Sequence, residues 1–139
     1  MATLKVNTLT GTTTAGSIAV TGEGNSTTTN LQQGLCKAWV KFQGTSTAAI
    51  NDSFNITGIT DQGTGQYQFA IANDMSSAHF STTSSLGNNN SSNAGVNRQE
   101  QTGSGAAGTF HFESTETGDT ADANQDVEGN SATIHGDLA

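Results

Sequence analysis

The amino-acid sequence predicts an all-β fold, an antiparallel β-sandwich of about seven or eight strands preceded by an extended N-terminal arm. Apolar and polar residues alternate in several segments, which is the pattern of a strand that buries one face. Threonine is abundant, and its β-branched side chain packs well on a pleated sheet. No apolar pattern with the period of a helix persists over three turns, so we expect little helix. We assign residues 1–35 to the arm, as a docking or oligomerisation segment, and residues 36–139 to the sandwich.

The predicted arm carries four regularly spaced apolar side chains. Leu4 and Val6 alternate with polar neighbours, and Ile18 and Val20 do the same. The loops between these pairs are rich in glycine and threonine, so the arm has too little apolar surface to form a core of its own. We expect the four side chains to pack on the sandwich or on a partner subunit, the alternative being a frayed terminus. A turn at residues 30–35 is the best helical candidate.

The clearest strand signal begins at Cys36. The even positions from Cys36 to Phe42 are Cys, Ala, Val and Phe, whereas the odd positions are Lys, Trp and Lys. This alternation predicts a strand with its even side chains inside, where Cys36 acts as a small apolar residue and not as a catalytic thiol. Trp39 interrupts the polar face, and we expect it to pack between the stems of Lys37 and Lys41.

Two further strands are predicted in the same part of the chain. Ile50, Phe54 and Ile56 are expected to continue the inward face of the sheet. A hairpin loop at residues 61–65 leads into a return strand at residues 66–71, because glycine-rich turn residues precede a new alternation. One side of the return strand holds the large apolar residues Tyr67, Phe69 and Ile71.

The second half of the chain has shorter predicted strands and longer turns. Phe110 and Phe112 share one face of a strand, and a last strand covers residues 132–138. Residues 84–95 are rich in serine and asparagine and are expected to form a surface loop. Residues 117–129 are acidic, and we expect a solvated loop there.

Composition and charge disfavour several classes of protein. The net charge is −8 with only four basic residues, which argues against nucleic-acid binding because phosphates require facing cations. The longest apolar run is a few residues, so neither a membrane span nor a secretory signal is expected. One cysteine permits no internal disulfide and no zinc–cysteine cluster.

Histidine and carboxylate side chains are the candidate metal ligands. The three histidines have no paired spacing and are expected to be separate, half-exposed strand residues: His79, His111 and His135. The best cation candidates are four acidic residues of the loop at residues 117–129: Asp119, Asp122, Asp126 and Glu128. Their spacing is not that of an EF-hand, so we expect neither a metal ion nor another cofactor.

The sequence does not indicate an enzyme. No two carboxylates are marked as the acid–base pair of a glycoside hydrolase, although such pairs can be drawn in any acidic chain. The glycine-rich stretch at residues 22–24 is followed by neither the lysine nor the helix of a phosphate-binding loop.

Two segments carry a family resemblance. Residues 37–45 read Lys-Ala-Trp-Val-Lys-Phe-Gln-Gly-Thr, and residues 50–67 end in Asp-Gln-Gly-Thr-Gly-Gln-Tyr. Together they resemble a β-rich module of tailed-bacteriophage virion proteins, which include tail-fibre tips and head-associated proteins of phages that infect marine bacteria and cyanobacteria. Residues 16–24 and 31–35 look like the lead-in segment of such proteins, so the resemblance covers residues 16–72.

The resemblance implies a structural or adhesive role on a virion, with synthesis in the host cytoplasm, and no reaction. Because an arm of 35 residues is too short for a fibre shaft, we favour a capsid decoration, knob or cement protein that docks on the major capsid protein or another virion protein. The alternative is a tail-fibre or spike tip that binds host surface glycan. The resemblance also implies a homotrimer, and the small number of large apolar residues favours sharing of surface between subunits.

Six residues are the candidate contacts for docking or subunit assembly: Leu4, Val6, Ile18, Val20, Trp39 and Tyr67. In the glycan-binding alternative, Trp39 and Tyr67 are the aromatic pair on which a sugar ring would stack. We favour a subunit or sheet contact for Trp39, because the neighbouring lysine stems provide a packing surface.

Overall fold

The computed structural model describes residues 3–14, 16–22, 24, 27–87, 95–98, 106–116 and 123–139. The chain divides into two compact units, Met1–Leu35 and Cys36–Ala139. All described strand pairs are antiparallel, and the one described helix has four residues, so the predicted all-β class is confirmed. Within the described residues there is no helix with the length and apolar character needed to span a membrane.

The first unit contains one hairpin and one helical turn. Asn30 caps the turn, because its side-chain oxygen accepts hydrogen bonds from the backbone N–H groups of Gln32 (2.8 Å) and Gln33 (3.2 Å). The helical turn predicted at residues 30–35 is thereby confirmed. No strand forms in residues 3–14. The three elements are β1 (Ala19–Thr21), β2 (Thr28–Asn30) and α1 (Leu31–Gly34).

The second unit consists of two antiparallel sheets. In chain order, its described strands are β3 (Ala38–Gln43), β4 (Ala49–Phe54), β5 (Ile56–Gly63), β6 (Gln66–Ile71), β7 (Ser81–Ser85), β8 (Gly95–Arg98), β9 (Thr109–Glu116), β10 (Ala123–Asn124) and β11 (Asn130–His135). Sheet I has the order β4-β3-β11-β7, and sheet II has the order β10-β9-β6-β5, with β8 also paired to β9. The predicted strand at residues 36–42, the hairpin at 61–65 and the return strand at 66–71 are confirmed as β3 and the β5–β6 hairpin.

The inner faces of the two sheets meet in one aromatic core. Phe42 of sheet I makes edge-on contacts with three rings of sheet II, at centroid distances of 5.1 Å (Tyr67), 4.8 Å (Phe69) and 4.9 Å (Phe112). Phe110 stacks on Phe69 at 4.8 Å. Alternation is clear in β3, β6 and β11 because every second side chain enters the interior. The second unit is therefore built as a two-layer β-sandwich.

The predicted inward position of Phe54 is wrong. A β-bulge in the β3–β4 ladder leaves Asn51 without a partner on β3, which shifts the alternation of β4 by one residue. Ile50 and Ile56 pack against the core as expected. Phe54 instead lies opposite Trp39 on the outer face and is 53% exposed.

Asn55 forms the corner where the chain passes from sheet I to sheet II. Its φ of 58° lies in the left-handed region, which asparagine tolerates better than most residues. Its side-chain amide donates to the carbonyl groups of Lys37 (3.0 Å) and Asn73 (3.2 Å), and its side-chain oxygen accepts from the backbone N–H of Asn73 (2.8 Å). Asn55 thus ties the start of β3 and the end of β6 to the corner.

Candidate functional site

The first unit presents five of the six large apolar side chains that are exposed in the described part of the chain. Leu4 is 79% exposed, and Val6 and Val20 are each more than half exposed. Three of the four arm residues predicted from alternation are therefore at the surface. Leu9 and Leu35 belong to the same exposed set. These exposed apolar side chains are available for contact with another molecule.

Ile18, the fourth predicted arm residue, is half-buried within the first unit. The backbone N–H of Leu31 donates to the carbonyl of Ile18 (2.8 Å), and the side chain of Asn30 donates to the carbonyl of Gly16 (2.8 Å). These bonds hold α1 against the start of β1 and create a shallow groove. The residues that line it are Leu9, Gly16, Ile18, Leu31, Gln32 and Leu35.

Trp39 lies on the outer face of sheet I, on the side opposite to the core. Its partners across the ladder are Phe54 on β4 and Thr133 on β11, and Thr133 is paired in turn with Thr83 on the edge strand β7. Paired side chains on one face of a sheet have Cβ atoms about 5 Å apart, so Trp39 and Phe54 are adjacent aromatic residues. Trp39 is half-buried, and this pair is the largest apolar feature of the face.

A second row of residues on this face is polar. Lys41 is paired with Asp52 on β4 and with Ser131 on β11, and Ser85 continues the row on β7. One lysine and one aspartate leave these two rows without net charge, in a chain whose net charge is −8. The sequence pattern also places Lys37 on the polar face, but Lys37 is buried, with 5% of its surface exposed.

Tyr67 is a core residue with 1% of its surface exposed, so its ring is not available to a docking partner or, together with Trp39, to a sugar. The Tyr67 hydroxyl donates a hydrogen bond to Oδ1 of Asp126 (2.8 Å), which also accepts from the backbone N–H of Gly65 (2.7 Å). A Cβ atom at Gly44 would collide with this hydroxyl. Burial, and then the hydrogen bond to Asp126, raises the pKa of Tyr67 above its usual value.

The acidic residues named as cation candidates do not converge in the described part of the chain. Asp119 and Asp122 lie outside the described residues. Asp126 accepts the hydrogen bonds from Tyr67 and Gly65 described above. Glu128 is exposed and accepts a hydrogen bond from the Thr45 hydroxyl (3.3 Å). Among the described residues, no group of three or more His, Cys, Asp or Glu side chains could hold a metal ion.

The three histidines lie in different places. His79 is exposed in the segment between β6 and β7, and His135 is the last residue of β11 in sheet I. His111 is half-buried in sheet II, where its Nε2 lies 3.1 Å from the side-chain nitrogen of Gln68. Cys36 is partly buried at the start of the second unit.

Three exposed apolar residues were missed by reasoning from the sequence. The sequence could have identified Leu9 and Leu35 as exposed, since both are isolated apolar residues in a segment with too little apolar surface for a core. Phe54 carries no such signal, because the bulge at Asn51 that turns it outward has no distinctive residue pattern.

Comparison with protein-family models, with curated proteins and with solved structures finds no match for this chain. Its function has to be inferred from its own surfaces.

Proposed function

We propose that this protein is a non-enzymatic structural protein of a tailed-bacteriophage virion, and specifically a decoration, knob or cement protein of the capsid head. The observation that carries the proposal is the set of exposed apolar side chains on the first unit, among them Leu4, Val6 and Val20. Removal of such surface from water is the main driving force for protein association. The first unit therefore provides the docking surface, and the major capsid protein or another virion protein provides its partner.

The second unit suits exposure on the outside of a particle. Eleven of the twelve acidic residues lie in residues 36–139, so this unit carries almost all of the negative charge. Like charge discourages adhesion to other anionic surfaces. The resemblance of residues 16–72 to a virion module supports the assignment to a phage, and we take the homotrimer from the same resemblance.

Incorporation into particles tests the proposal. The full-length chain, tagged at its C terminus, is expressed during infection by a tailed phage whose virion carries an untagged copy, and purified virions are separated into heads and tails. The proposal predicts that the tagged chain is found in the head fraction. Recovery in the tail fraction would instead support the fibre or spike tip, and absence from both fractions would refute a virion role.

A triple variant tests the docking surface itself. Replacing three exposed apolar residues by serine should lower head occupancy at least tenfold while leaving the fold intact, because these side chains are already in water: Leu4, Val6 and Val20. The matched control replaces three exposed threonines of the same unit by serine: Thr8, Thr12 and Thr13. Equal occupancy of the two variants would show that the first unit is not the docking surface.

Sedimentation equilibrium at micromolar concentration tests the oligomeric state. A trimer has three times the 14.2 kDa mass of the chain. A stable folded species at 14.2 kDa would refute oligomerisation. A clean dimer would refute the trimer alone.

A further inference from the structure

The aromatic pair of sheet I is an unusual feature of an otherwise polar sheet face. Trp39 and Phe54 are cross-strand partners: Trp39 points away from the core by the alternation of β3, and Phe54 does so because the bulge at Asn51 has shifted β4. Phe54 is 53% exposed on the edge strand β4, and Trp39 beside it is partly exposed. Exposed aromatic side chains placed next to each other provide a surface on which an apolar ring face can stack.

The surroundings of the pair restrict the chemistry of a ligand. Hydroxyl groups continue both rows of the face towards β7, at Thr133 and Thr83 in one row and at Ser131 and Ser85 in the other. Each hydroxyl can donate and accept a hydrogen bond. The single lysine and single aspartate of these rows balance each other, so the two rows carry no net charge to attract an ionic ligand.

The size of the apolar area argues against a protein partner. A fully buried aromatic side chain covers about 150–250 Å². Two partly exposed rings therefore offer on the order of 200 Å², whereas a stable protein interface buries about 800 Å² on each partner and has an apolar centre. The remaining side chains of the two rows are serine, threonine and one pair of opposite charges. A small ligand with one apolar face and a polar edge fits this surface better than a second protein does.

We propose that the outer face of sheet I binds a neutral oligosaccharide. The apolar C–H face of a sugar ring stacks on Trp39 beside Phe54, and the sugar hydroxyls exchange hydrogen bonds with the side chains of Thr133 and Ser131. This function goes beyond docking through the first unit, and it applies whether the protein sits on a head or on a tail. The site differs from the Trp39–Tyr67 pair expected from the sequence, because Phe54 takes the place of the buried Tyr67.

Titration of the isolated full-length protein tests the proposal. Trp39 is the only tryptophan, so its fluorescence reports directly on this face. The probes are neutral oligosaccharides of glucose, galactose and N-acetylglucosamine, with oligogalacturonate as the anionic comparison. We expect a saturable change with at least one neutral probe and at least tenfold weaker binding of the anionic one. No saturation with any neutral probe, or tighter binding of oligogalacturonate, overturns the proposal.

Two substitutions at Phe54, one aromatic and one aliphatic, separate ring stacking from general apolar contact. Phe54→Tyr keeps the ring and should bind within about twofold of the natural protein, whereas Phe54→Leu should bind at least fivefold more weakly. Gln68→Ala, on the outer face of sheet II, is the control and should bind normally. Equal binding by the two Phe54 variants overturns the stacking site. If Trp39 fluorescence changes with protein concentration in the absence of sugar, the face is a contact with a second copy of the chain, and the sugar-binding proposal is overturned. These outcomes are independent of particle incorporation, so this proposal and the virion role can fail separately.

Discussion

The hydrogen bond between Tyr67 and Asp126 is predicted to be a major local contribution to the stability of the sandwich. Oδ1 of Asp126 accepts from the Tyr67 hydroxyl at 2.8 Å and from the backbone N–H of Gly65 at 2.7 Å, and so connects the segment before β11 to the β5–β6 hairpin. Tyr67→Phe keeps the ring in the core and removes only the hydroxyl. A hydrogen bond to a charged group contributes about 1.5–3 kcal/mol, so the free energy of unfolding should fall by that amount.

Urea unfolding at one fixed protein concentration measures this change, with Trp39 fluorescence and far-UV circular dichroism as independent probes. Asp126→Ala should cost at least as much as Tyr67→Phe, because it leaves both donors without their acceptor. The double variant should cost clearly less than the sum of the single variants, since both remove the same bond. Glu128→Gln, an exposed change in the same segment, is the control and should stay within about 0.5 kcal/mol. A loss below about 0.5 kcal/mol for Tyr67→Phe, or additive single variants, would refute the reasoning.

Three further predictions concern titration, an unsatisfied hydroxyl and the sheet corner. Folding raises the pKa of Tyr67, so the neutral phenol stabilises the fold fully below the unfolded pKa of about 10, and this stabilisation is lost as pH rises above that value. Tyr67 is the only tyrosine, so phenolate absorbance should appear together with alkaline unfolding. Phenolate absorbance in the folded protein would contradict this. Thr82→Val should raise the free energy of unfolding by about 1 kcal/mol in the same urea assay, because the Thr82 hydroxyl is buried without a hydrogen-bond partner in the described structure; a loss of stability would contradict it. Asn55→Ala should lower the free energy of unfolding by about 2 kcal/mol or more, because it removes the hydrogen bonds to Asn73 and places alanine at a left-handed φ. Asn55→Gly relieves the φ strain and should recover only that part of the loss. Full recovery by glycine would show that the hydrogen bonds contribute nothing.

Local patterning was sufficient wherever a strand is regular and buries one face. The alternation from Ala38 to Phe42 and from Tyr67 to Ile71 predicts both the strands and the side chains that enter the core. The turn at residues 30–35 is also local, because its cap is an asparagine that bonds to the two nearest available N–H groups. These features depend on residues within a few positions of each other, so they can be inferred without knowing which strands pair.

The residues of the candidate sites depended on pairing between distant segments. Phe54 faces outward because of one unpaired residue in the β3–β4 ladder, and a shift of one position exchanges the two faces of a strand. Tyr67 shares the inward face of β6 with Phe69 and Ile71, but its polar tip can be buried only because Asp126, distant in sequence, accepts a hydrogen bond from its hydroxyl. By itself, the sequence determined the all-β class, the main strands and the isolated apolar side chains of the first unit. Only the tertiary structure decided that Phe54 reaches the surface and that the Tyr67 hydroxyl is bonded inside the core, because these outcomes follow from strand register and from a hydrogen-bond partner far away along the chain.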